Sequence, residues 1–137
     1  MTLNSKPFLC VDDARRMATA GEAEAHRNNW AVSIAVVDDG GHLLWLQRLD
    51  GAAPISAQIA PAKARTAALG RRESRIYEEM INGPRPAFLS APGLEGMLEG
   101  GVPVIAHGHC IGAVGVSGVK SGDDVQIARA AIAALEL

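Results

Sequence analysis

Between Gly100 and Gly118 the chain reads Gly-Gly-Val-Pro-Val-Ile-Ala-His-Gly-His-Cys-Ile-Gly-Ala-Val-Gly-Val-Ser-Gly, an apolar β pattern in which glycine repeatedly stands where a side chain would pack. A glycine inside a strand gives up packing and backbone entropy, so its repetition implies that backbone or a ligand approaches closely there. One face of the last strand is therefore expected to act as a floor. At 137 residues the chain fits one domain over 1–137, and 48% apolar but only 4% aromatic composition calls for a core of Val, Ile, Leu and Ala.

The other elements follow from caps, turns and periodicity. Asp12 or Asp13 can cap a helix running to about Asn28, with Ala14, Met17, Ala18, Gly21 and Ala25 at helical spacing. Trp30 to Val37 reads as a buried strand, Asp39-Gly40-Gly41 as a tight turn and His42 to Arg48 as its antiparallel partner. Ser56 is placed to cap a helix through Leu69 with Gly70 just past its end, and Pro61 predicts either a bend in the first turn or a later start at Ala60. A charged helix over Arg71 to Ile81 stops at Asn82-Gly83-Pro84-Arg85-Pro86, and Phe88 to Leu98 reads as a covering loop. Pro103 to His107 and Cys110 to Ser117 form a second hairpin, and a last helix opening at Ser121-Gly122-Asp123 carries Ile127, Ala128, Ala131, Ile132 and Leu135 as its apolar stripe. This order gives an α+β protein: an antiparallel sheet built from two hairpins, with helices packed on it.

Several function classes drop out. A net charge of −2 with interspersed signs provides no basic stripe for nucleic acid. Residues 1–7 have neither a basic nor an apolar leader region, and no apolar run reaches membrane-spanning length, so the expectation is a cytoplasmic protein with no membrane partner. Cys10 and Cys110 are too few for a disulfide framework and read as reduced thiols. Dinucleotide, phosphate-loop and nucleophile-elbow motifs are lacking.

Candidate chemistry gathers on few residues. Lys63 and Thr66 share a helix face among alanines, with Arg65 pointing away, so Lys63 can reach a pocket and bind a carboxylate or act as a base; a lysine stem covering alanines, or an interface ion pair, is the structural alternative. Arg85, held between two prolines, suits a bidentate carboxylate grip or is an exposed loop cation. Asp38, Arg48 and Asp50 leave the first hairpin and either converge on a polar ligand or serve the turn and ordinary ion pairs. Ser117, between Gly115 and Gly118, reads as a pocket wall whose hydroxyl and neighbouring N–H groups receive an anion. His107 and His109 flank Gly108 without a third ligand, so no metal site is assigned.

Val36-Val37-Asp38 with Gly40-Gly41, Arg48, Asp50-Gly51-Ala52, Ser56, Ala60, Lys63-Ala64, Thr66-Ala67, Gly100-Gly101-Val102-Pro103 and Gly112 to Gly118 occur in an order and spacing that resembles the GlcG/HbpS-like family. The chain departs from that pattern at Val119, where a second glycine is common, and Asp123-Asp124 supplies the acidic pair of the last helix. The resemblance implies a profilin-like fold, a homo-oligomer, and a family of mixed function that includes haem-binding sensors, a domain attached to corrinoid adenosyltransferases and proteins of catabolic operons. The expected ligand is a small anionic molecule bound between the glycine strand and the Lys63 helix. Three readings stay open: an enzyme acting on a small carboxylated intermediate by proton transfer or hydration with Lys63 and Arg85, a module binding haem or another tetrapyrrole, and an accessory protein without catalysis.

Overall fold

The computed structural model describes residues 1–137. Its elements are α1 (Val11–Arg27), β1 (Ser33–Asp38), β2 (Leu43–Arg48), α2 (Ser56–Gly70), α3 (Ser74–Ile81), a 3₁₀ turn (Pro86–Ser90), β3 (Gly101–Ala106), β4 (His109–Ser117) and α4 (Ser121–Ala133). The four strands form one antiparallel sheet in the order β2-β1-β4-β3, so the two hairpins meet along β1 and β4.

Alternation along the strands divides the core. Ile34, Val36, Val114, Val116, Val102 and Val104 face α1 and α4 and pack with Met17, Ile127, Ala128 and Ala131. Ala35, Val37 and Ala113 face the other way, onto Ala60, Ala64, Ala67 and Ala68 of α2. The period of two thus builds α1 and α4 on one side and α2 on the other. The α2 side is made of small residues throughout, which draws helix and sheet together.

Local chemistry moves some boundaries. The cap of α1 is Cys10, whose backbone N–H donates to the Asp13 carboxylate at 2.9 Å; Asp13 serves from inside the first turn. Helix α2 starts at Ser56 and runs through Pro61 without the delay to Ala60 that proline suggested. The left-handed residue that ends it is Arg71, at φ 59°, where Gly70 was expected, and Arg71 secures this conformation by donating from a guanidinium nitrogen to the Cys110 carbonyl at 3.2 Å. Helix α3 consequently begins at Ser74. The second hairpin turns at His107-Gly108, both with positive φ (51° and 79°), the pairing of a tight primed turn, which places His109 in β4.

Candidate functional site

Lys63 is the most deeply buried cation of the chain, at 4% exposure. Its ammonium donates to the Val116 carbonyl and to the Asp124 carboxylate, each at 3.0 Å. Asp124 also accepts from the Val119 backbone N–H at 3.2 Å, so one carboxylate holds the residue that replaces glycine after Ser117-Gly118 and the lysine from the opposite layer. Burial outweighs the attraction of Lys63 and pushes the Asp124 carboxyl above its ordinary value of 3.8. The sequence pointed to Lys63 and to Asp123-Asp124 separately; the fold brings Lys63 and Asp124 together.

The glycines explain how the lysine gets there. A Cβ on Gly115 would lie 2.1 Å from the Ala60 carbonyl oxygen, and one on Gly101 would lie 2.2 Å from the Lys63 carbonyl oxygen. These two glycines are cross-strand partners, so they form a side-chain-free track across β3 and β4 on which the α2 backbone rests. Gly100, at φ 137°, leaves room for the Lys63 ammonium itself, 2.6 Å from where its Cβ would be. The close approach expected at the glycine strand is made by helix backbone.

The remaining candidates are dispersed. Thr66 is buried on the Lys63 face and donates its hydroxyl to the Glu95 carbonyl, tying the loop before β3 to α2. Ser117 is buried opposite Ser33, whose hydroxyl pairs with that of Ser56 at 2.8 Å. Gly118 sits at φ 144° against the Ala31 carbonyl, a close approach that leaves no space for a Cβ. Asp38 accepts from the Gly40 and His42 backbone N–H groups, both at 2.9 Å, as turn chemistry requires. Arg48 is exposed on the edge strand opposite Ser33, at the other end of β1 from Asp38. The convergence of Asp38 with Arg48 is therefore corrected by antiparallel register: the residue that leaves β2 lies beside the start of β1. Arg85 is exposed, its guanidinium 5.9 Å over the Phe88 ring, which in turn stacks on Tyr77. His107 and His109 are exposed at the hairpin tip, and no group of three His, Cys, Asp or Glu side chains is positioned to hold a metal ion. Cys10 is exposed, Cys110 buried, and both are free thiols.

A cavity of about 590 Å³ lies on the α2 side of the sheet, open to solvent. Val37 and Leu43 line it from the first hairpin, Gln58, Pro61, Ala62 and Arg65 from α2, and Ala91, Gly93, Leu94 and Glu95 from the loop before β3. Here the structure departs most from the sequence reading, because Arg65, on the face of α2 turned away from Lys63, lines the cavity. Its neighbours three and four residues away, Pro61, Ala62, Ala68 and Leu69, include no acid to pair with it, and that was the available signal. No helix of the protein is long and apolar enough to cross a membrane.

Comparison with known proteins agrees with this geometry. Residues 9–133 match the family described as haem degrading protein HbpS-like. The protein GlcG of Escherichia coli (strain K12) is 58% identical over 115 residues, which cover 84% of this chain and 85% of GlcG. The crystal structure of a double mutant of Streptomyces reticuli HbpS superposes with a TM-score of 0.84 at 36% identity, covering 97% of this chain and 90% of that one. A crystal structure of PduOC in complex with haem gives a TM-score of 0.80 at 25% identity, covering 93% and 95% of the two chains. Sequence match and shared fold together place this chain in the HbpS-like family.

Proposed function

We propose that the protein is a small-molecule-binding module whose ligand is a tetrapyrrole or another flat, largely apolar molecule bearing carboxylates, with haem the first ligand to test. The observation that carries this reading is the open cavity beside α2, which combines apolar walls with a few polar groups in the manner of small-molecule sites. The haem complex of PduOC, a relative of the same fold, supports the choice of ligand.

The lining residues suit the porphyrin better than the iron. Val37, Leu43, Pro61, Ala62 and Leu94 offer surface to a macrocycle, and Arg65 and Gln58 offer hydrogen bonds to propionates. None of the lining residues is a His, Cys, Met or Tyr, so the cavity provides no axial side chain. Hemin and metal-free protoporphyrin IX are thus expected to bind with similar, modest affinity, saturating at one per cavity. Titrations followed by the Soret band and by porphyrin fluorescence test this. Absence of saturable binding by either would overturn the tetrapyrrole reading, and a much tighter hemin complex would show that an iron ligand lies elsewhere.

A further inference from the structure

We infer that Arg65 is the residue that recognises the ligand's carboxylate, and that it does so by giving up the carbonyl of Gly93. This rests on the binding reading above and names the group that decides which ligands are accepted. Arg15, Arg16, Arg27, Arg75 and Arg129 each pair with a carboxylate; Arg48, Arg65, Arg71, Arg72 and Arg85 do not, and of these five only Arg65 lines the cavity. Its one hydrogen bond runs from Nε to the Gly93 carbonyl at 3.4 Å, near the limit for such a bond. A guanidinium with five donors is left with nearly all of them unused at the edge of a cavity.

The surroundings hold this cation in place while leaving its head free. Gly41, at φ 80°, comes so close to the Arg65 stem that a Cβ there would lie 3.0 Å from Cγ. The opposite wall is stationed by Thr66, whose hydroxyl holds the Glu95 carbonyl. Gly93 itself has φ 77° and no neighbour within 4 Å of a would-be Cβ, so the backbone that supplies this acceptor is not packed against on its Cβ side. A carboxylate entering the cavity replaces a long, neutral acceptor with a charged one that the planar fork can grip with two bonds.

The test compares free acid with ester. Protoporphyrin IX and its dimethyl ester are titrated into the parent protein, Arg65→Ala and Arg65→Lys, with thermal melting to confirm that these exposed-site variants fold. Arg65→Ala is expected to weaken the acid about tenfold or more, to leave the ester unchanged, and to be partly restored by Arg65→Lys. Equal effects on acid and ester, or none on either, would overturn the role of Arg65 while leaving the tetrapyrrole reading standing. A smaller flat carboxylate, 2-naphthoate, separates the opposite case by nuclear magnetic resonance at the Arg65 Nε–H. Should porphyrins fail to bind while naphthoate shifts that signal and Arg65→Ala abolishes its binding, the tetrapyrrole reading falls and Arg65 stands. If neither carboxylate binds, both fall.

Discussion

With its ammonium shared between Asp124 on α4 and the Val116 carbonyl on β4, Lys63 fastens the helix on one side of the sheet to the helix on the other. Removing one partner of a buried pair strands the other charge, at a cost of about 3–5 kcal/mol. Lys63→Met is expected to lower unfolding stability by about 3 kcal/mol in denaturant titrations, and adding Asp124→Leu to recover most of it. Asp124 also sets a pH signature. Because its carboxyl is raised in the folded state, the folded protein binds this proton more tightly than the unfolded chain does. The contribution is therefore fully present below the ordinary value of 3.8 and fades as pH rises through the folded value. Stability of the parent relative to Asp124→Asn should accordingly fall as pH climbs from 3.8 through the raised folded value. Sequence could single out Lys63, since a lysine among alanines is conspicuous. Its partner, 61 residues away, was beyond any local pattern. Arg65 was passed over because α2 is sandwiched: its inner face meets the sheet, and its outer flank meets a loop and a turn that periodicity does not place.

At the scale of elements, α2 and the glycine track belong to one device. Gly115→Ala should cost about 3 kcal/mol, at the upper end for overpacking, because the new methyl group meets helix backbone that has no rotamer to change. Gly122→Ala, in the first turn of α4 with nothing within 4 Å, should be neutral or stabilise by up to about 1 kcal/mol. Urea midpoints of the two variants check this, and equal midpoints would remove the track from the account. Both hairpins, the apolar faces of α1 and α4 and the antiparallel sheet were legible, since turn residues and periodicity are local. Helix ends were less so. Arg71 takes a left-handed conformation because a distant carbonyl on β4 rewards its side chain, and Cys10 caps α1 because Asp13 reaches back to it.

At the scale of the molecule, one uncovered edge bears on assembly. Strand β2 lies at the sheet edge with Leu43 and Leu46 exposed, at 51% and 40%, and without a proline or lysine to guard it. We propose that the protein forms a homo-oligomer and that this edge takes part. Light scattering at micromolar concentration should report more than one subunit, and Leu46→Lys should shift the distribution towards the monomer. A parent protein that stays monomeric would refute both statements.

The arrangement of β1 beside β4 has a kinetic consequence as well. Ser33 pairs with Ser117 and Asp38 with Gly112, so the centre of the sheet joins residues from opposite ends of the chain. Each hairpin closes over a short loop, but the seam between them must wait until β4 has been synthesised and the long intervening segment gathered in. During synthesis on the ribosome, the first hairpin and α2 therefore emerge without the strand that will cover them. Their alanine face stays uncovered until the last quarter of the chain has left the exit tunnel, the interval in which the nascent chain is most open to wrong contacts.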